Sequence, residues 1–236
     1  MHKIIQFILS TFFNVYTKRL HSFKLNSINH FCPSLFKFIE SLTTEGAVGA
    51  GQHPNRTFDV MKLLKKYKPH IIQELGSGLT TGVFAAYCQK YDAKLYSYEE
   101  NDKWHSVTKK SLTANNLYSQ SIRYLCLDVI ETDEGTNFSI PIQRGADFIY
   151  VDGPYCKKHN GDRFPNMDIV NYIRDGGRPK IIVVDGRWKS VYKLLGEETI
   201  QGQYDFVPNA FSALSNFKYS YFLKLMHHNV FVRKYD

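Results

Sequence analysis

The side chains best suited to chemistry in this chain are acids at the ends of apolar runs. Glu74 follows Ile71-Ile72-Gln73 and stands two residues before Gly76-Ser77-Gly78, and Glu99 closes Tyr96-Ser97-Tyr98 further on. A glycine pair lets backbone pass close to a bound molecule, and a helix starting behind it presents N–H groups with no partner of their own. An acid at the tip of the next strand accepts both hydroxyls of a ribose. Strand, turn, helix, strand and acid in this order form a holder for an adenosine-containing ligand. Thr81 occupies the place where a dinucleotide-binding turn carries its third glycine, and Glu74 would repel a pyrophosphate. The turn therefore disfavours a ligand that carries a pyrophosphate.

Three more acids end apolar runs: Asp128, Asp152 and Asp185. Ligands of open parallel sheets sit outside the carboxyl ends of the strands, where all five acids are expected. After Asp152, the Gly153-Pro154 turn bends the chain across that edge, and Asp185-Gly186-Arg187 repeats the pattern one strand later. Between them lies a basic loop, Lys157, Lys158, His159 and Arg163, that suits an anionic acceptor such as a phosphate or uronate, or is simply solvated. His159 is a candidate base because an imidazole titrates near neutrality, and His53 has the same standing.

These residues need strands that end on one edge. The pattern predicts a helix from Asn55 or Thr57 to Tyr67, and then strands and helices in alternation: strand 70–75, helix 80–90, strand 94–98, helix 102–115, strand 122–127, strand 146–151, helix 166–174, strand 180–184 and helix 188–195. Residues 131–134 read as a polar loop. Continuous apolar strands between amphipathic helices mean a parallel sheet covered on both faces. Strands are also expected at 204–207, 219–225 and 229–234, the last two joined by a turn at His227-His228-Asn229 into an antiparallel hairpin. The fold class is thus α/β, a Rossmann-like doubly wound, mostly parallel sheet with an antiparallel C-terminal hairpin. Residues 57–236 form this domain, and 1–56 form a basic, helical or irregular appendage. Within the appendage 20–56 read as irregular, and the glycine-rich stretch from Glu45 to Gly51 reads as a lid or as a linker.

The 236 residues carry a formal charge of +8, unevenly placed. Residues 1–70 hold ten Lys and Arg against three acids, and the rest is near balance, which weighs against a nucleic-acid enzyme, whose positive charge spreads around its active face. Cys32, Cys88, Cys126 and Cys156 are widely spaced, as expected of reduced thiols in the cytoplasm. The apolar run Ile4–Val15 is too short for the roughly twenty residues of a span. Residues 1–20 are expected to dock on the domain, on a second copy in a homodimer, or peripherally on the inner face of an anionic membrane.

Acid-x-Gly-x-Gly at Glu74–Gly78 and the downstream acids resemble class I S-adenosylmethionine-dependent methyltransferases over about residues 70–195. By that resemblance S-adenosyl-L-methionine is the cofactor. Gly76, Ser77, Gly78 and Thr80 approach its methionine part with Glu74 nearby, Glu99 holds the ribose, Asp128 takes the adenine amino group, and Asp152 faces the donor–acceptor junction as ammonium ligand or base. Asp152 and His159 are the expected catalytic residues. Tyr155, Lys157, Arg163, Asp185 and Arg187 are expected to face the acceptor. Some members hold Mg2+ between acids matching Asp152 and Asp185, but Gly186 stands where a third ligand belongs, so a metal is not expected. The implied activity is O-methylation of a small molecule or glycan. Asp152-Gly153-Pro154-Tyr155 is also similar to the Asp-Pro-Pro-Tyr of nucleic-acid amino-methyltransferases, a pattern that Gly153 breaks. A nicotinamide-dependent oxidoreductase is disfavoured by Glu74, Thr81 and the terminal hairpin, and a non-catalytic protein that kept the nucleotide fold remains the third reading.

Overall fold

The computed structural model describes residues 26–45, 54–154, 164–207 and 228–234. Helices α1 (residues 26–31), α2 (Pro33–Thr44) and α3 (Pro54–Tyr67) precede the alternating region. That region runs β1 (Ile71–Leu75), α4 (Leu79–Tyr91), β2 (Lys94–Glu99), α5 (Asp102–Ala114), β3 (Ile122–Cys126), β4 (Val129–Glu131), β5 (Thr136–Phe138), β6 (Phe148–Val151), α6 (Asp168–Arg174), β7 (Ile181–Asp185), α7 (Trp188–Leu195), α8 (Glu198–Gln203), β8 (Tyr204–Val207) and β9 (His228–Arg233).

Among the described residues, seven strands form one sheet in the order β3-β2-β1-β6-β7-β9-β8. Neighbours from β3 to β7 are parallel, and β9 runs antiparallel to both β7 and β8. The chain leaves β1 in one direction to build β2 and β3, and returns to its other side with β6. That reversal opens a crevice above the carboxyl ends of β1 and β6. Alternate residues of each strand serve opposite cores: Ile181 and Val183 pack on the side of α2–α5, and Ile182 and Val184 on the side of α6–α8. Both faces are covered, which is why these strands read as unbroken apolar runs.

Three parts of the chain differ from expectation. Residues 26–31 and 33–44 are helical where 20–56 were expected to be irregular. Pro33 opens α2, a position at which proline's fixed φ and missing N–H cost nothing. Ile28, Leu35, Phe38 and Leu42 are wholly buried in the same core as Val83, Phe84 and Ile72, so the core does not divide at residue 56. The polar stretch 131–134 is the end of a small hairpin, β4 against β5, closed by Thr132 N–H on the Gly135 carbonyl at 2.8 Å. His228 and Asn229 lie inside β9, paired with Asp185 and Val184, not in a turn. The partner of β9 on its outer side is β8, and the expected strand 219–225 lies outside the described residues. So do the glycine-rich stretch 46–51 with His53 and the segment 1–20.

Candidate active site at the carboxyl edge

The tips of β1 and β6 are stitched together by backbone. The Leu75 carbonyl accepts N–H bonds from both Asp152 (2.7 Å) and Gly153 (2.5 Å), and Gly76 N–H reaches the Tyr98 carbonyl of β2 at 2.9 Å. Gly76 has φ +85°, and a Cβ there would lie 2.4 Å from Gly153 N. A Cβ on Gly153 would in turn meet Gly76 Cα at 2.4 Å. The first glycine of the turn and the glycine after Asp152 are thus one contact seen from two strands. Gly78 is different: the nearest atom to a Cβ there is Trp104 Nε1, 4.0 Å away. It faces open space at the N-terminus of α4, where the first N–H groups have no acceptor within the helix.

Glu74 does not face that space. It is wholly buried, and its carboxyl group receives Thr80 Oγ1 (2.6 Å), Thr81 Oγ1 (2.8 Å) and Ser97 Oγ (2.6 Å). Thr81 Oγ1 in turn accepts Gly78 N–H at 2.8 Å. Burial outweighs these hydrogen bonds and pushes the Glu74 carboxyl up to about 8, with Glu99 nearby adding to the rise. Glu74, expected near the methionine part of the ligand, and the side chain of Thr80, expected at the same site, are bonded to each other. They clamp β1, β2 and the start of α4 beneath the turn, because two hydroxyl residues follow the glycines at the spacing that brings them back over Glu74.

Glu99, 4 % exposed, sits beside the turn. Its Oε2 accepts both the N–H (2.9 Å) and the hydroxyl (2.6 Å) of Ser77, and its Oε1 accepts Asn101 N–H at 3.0 Å. Ser77 Oγ also lies 2.6 Å from the Tyr124 hydroxyl of β3, and its carbonyl accepts Trp104 Nε1–H at 3.0 Å. Asn101 caps α5 by accepting Trp104 N–H at 2.9 Å, which holds the indole against the turn. Burial drives the Tyr124 phenol well above its ordinary range, so it stays protonated. Trp104 and Tyr124 escaped the sequence reading. Neither lies in a motif, although Trp104 sits three residues after an asparagine that starts a helix. Asp128 follows β3, exposed, with its own carbonyl bonded by Ser139 N–H at 2.9 Å.

Asp152 and Arg187 meet across the turns after β6 and β7. The side chain of Asp152 is 49 % exposed, and Arg187 Nε approaches its Oδ1 at 3.7 Å. The same guanidinium donates to the carbonyls of Pro154 (2.6 Å) and Asp152. Arg187, expected to face an acceptor, instead fastens the Gly153-Pro154 turn. Asp185, also expected to face the acceptor, is buried, and its Oδ2 accepts the Tyr150 hydroxyl at 3.1 Å, which lies 3.2 Å from His228 Nε2. The strand register explains this, since Asp185 pairs with His228 of β9. Among the described residues no group of three or more His, Cys, Asp or Glu side chains is placed to hold a metal ion.

Beneath the Gly153 turn, Asn166 Nδ2 donates to the Gly153 carbonyl (3.2 Å) and to Asp168 Oδ2 (2.8 Å), and Asn166 N–H reaches Ser190 Oγ at 2.8 Å. Asp168 also accepts Phe138 N–H at 3.1 Å, and burial pushes its carboxyl up to about 7. These two residues, unremarked in the sequence, tie the return of the basic loop to the place where it left. Tyr155, Lys157, His159 and Arg163 lie outside the described residues.

No family model and no curated protein sequence matches the chain. Solved structures do. An SAH-bound methyltransferase of Podospora anserina, PaMTH1, superposes with a TM-score of 0.59 at 12% identity, over 86% of this chain and 88% of its own. A Klebsiella pneumoniae protein taken to be an O-methyltransferase gives 0.49 at 14% identity, over 74% and 81%. A Staphylococcus aureus protein taken to be a caffeoyl-CoA O-methyltransferase gives 0.49 at 10% identity, over 84% and 92%. The first of these likenesses bears on the fold: this chain has the Rossmann-like α/β fold of a class I methyltransferase.

Proposed function

We propose that this protein is an S-adenosylmethionine-dependent methyltransferase that methylates a hydroxyl group of a small molecule or glycan. One observation carries the reading. The Glu99 carboxylate is hydrogen-bonded to the N–H of Ser77 inside the glycine turn, so a two-oxygen acceptor stands next to the open start of α4. A ribose diol on Glu99 would leave the methionine part of the ligand toward Gly78, where a side chain's place is open. Glu74, its carboxyl raised by burial to about 8, ties Thr80, Thr81 and Ser97 together beneath the turn.

The residues fit the donor by type. Glu99 would hold the ribose, the turn 76–78 would lie along the methionine part, and exposed Asp128 would meet the adenine amino group. When bound, the donor supplies an electrophilic methyl on a sulfonium. The chain supplies alignment for in-line displacement and exclusion of water. A hydroxyl acceptor must lose its proton, and Asp152, half exposed and held by Arg187, is assigned that task together with His159 of the basic loop. Support for an anionic acceptor is the composition of that loop, Lys157, Lys158 and Arg163 beside Tyr155. Residues 1–20 are assigned to peripheral contact with a membrane or to a second copy, on their basic and apolar composition.

The test is calorimetric titration of the full chain with S-adenosylhomocysteine, with NAD alongside, on wild type and Glu99→Ala. Micromolar binding of S-adenosylhomocysteine that weakens at least tenfold in the variant is the expected result. Binding of NAD alone, or of neither, rejects the donor site.

A further inference from the structure

Glu99 presents an accounting problem that the Ser77 hydroxyl resolves. A carboxylate offers about four acceptor positions. Ser77 N–H, Ser77 Oγ–H and Asn101 N–H already take three of them. A vicinal diol that donates both hydroxyls needs two. The two backbone N–H groups are fixed by the turn and by the start of α5, so the one donor able to leave by rotation is the Ser77 hydroxyl.

That hydroxyl has somewhere to go. Ser77 Oγ is 2.6 Å from the Tyr124 hydroxyl as well as 2.6 Å from Glu99 Oε2. A hydroxyl has one hydrogen, and the charged acceptor takes it first. With no diol present, Ser77 therefore donates to Glu99, and Tyr124 donates to Ser77. Beyond Tyr124 stands Thr108 of α5, whose buried Oγ1 interacts with the phenol and makes no other hydrogen bond. A buried hydroxyl needs a partner, and Tyr124 is the group beside this one that can donate to it.

We propose that Glu99, Ser77, Tyr124 and Thr108 form a hydroxyl relay that reverses when a ribose diol docks on Glu99. Ser77 turns its hydrogen from Glu99 to the Tyr124 oxygen, and Tyr124 turns its own to Thr108. No bond is made or broken and no heavy atom need move. Ser77 thus stands in for a ligand hydroxyl in the empty site, and Tyr124 and Thr108 are positioning residues that lower the cost of displacing it. The inference rests on the assignment of Glu99 as the ribose acceptor.

The relay makes a prediction of opposite signs that a merely structural role for these residues does not. In calorimetric titrations of the full chain with S-adenosylhomocysteine, Ser77→Ala is expected to bind about threefold to tenfold tighter, because the competing donor is gone. Tyr124→Phe is expected to bind roughly tenfold weaker, because the displaced Ser77 hydroxyl then has no acceptor. In the Ser77→Ala background Tyr124→Phe should have no further effect. Thr108→Val, a smaller perturbation read by the same titration, should weaken binding in the wild-type background and not in the Ser77→Ala one. Thermal unfolding confirms that each variant is folded. Weaker binding by Ser77→Ala, or a Tyr124→Phe effect that persists in the double variant, overturns the relay while leaving the donor site intact. Failure of the wild type to bind removes both.

Discussion

Glu74 shows what one buried residue does to the whole chain's response to pH. Its carboxyl is pushed from 4.5 to about 8 by burial, so the folded protein holds a proton there that the unfolded chain has released. Stability linked to this proton is fully present below about 4.5 and is lost as pH rises through about 8. Its size is on the order of 3–5 kcal/mol. Asp168, raised to about 7, adds a loss of the same sign over a lower range. Denaturant unfolding of wild type and Glu74→Gln from pH 5 to 9 should therefore converge on different slopes. Wild type falls with pH, and the glutamine variant, which needs no proton, falls less. Parallel curves would mean that Glu74 is charged in the fold.

At the scale of elements, the two glycines of the turn have separate tasks. Gly76 joins the tip of β1 to the turn after β6, and its positive φ and the Gly153 backbone leave no place for a side chain. Gly76→Ala is expected to cost at least about 3 kcal/mol by chemical denaturation, because two stitched turns must part. Gly78 has extended backbone, and only Trp104 Nε1, 4.0 Å from a Cβ, stands near. Gly78→Ala is expected to change stability by less than about 1 kcal/mol while weakening S-adenosylhomocysteine binding several-fold, since the methyl group occupies the ligand's side of the turn. Equal loss of stability in both variants would refute this division.

For the molecule as a whole, the N-terminal helices are part of the core on one face of the sheet. Phe38 of α2 is wholly buried, and a Cβ on Gly82 of α4 would lie 2.3 Å from its ring, so the two helices approach as closely as a glycine allows. Phe38→Ala is expected to lower stability by about 3–5 kcal/mol in a single cooperative transition that includes the sheet. A separate early transition would instead mark the segment as an appendage. The carboxyl edge depends on the same wholeness. Arg187 after β7 grips the turn after β6, and Asn166 grips Gly153 from below, so the candidate site is braced from two places outside the turn.

The sequence by itself determined the alternating strands, the glycine turn and the acids at the strand tips, because burial on both faces forces apolar runs and strand ends force turns. Residues 70–126 were legible for that reason. It did not determine which way those acids point. Glu74 and Asp185 turn inward, because Thr80, Thr81 and Ser97 in one case and Tyr150 in the other come from elsewhere in the chain to meet them. Helix α2 was hidden by Pro33, which breaks a helix in its middle and starts one at its beginning, and only packing against α4 distinguishes the two. The partners of Glu99 were invisible for the same reason. Ser77 and Tyr124 are 47 positions apart, and only the order of the strands in the sheet brings their hydroxyls to 2.6 Å.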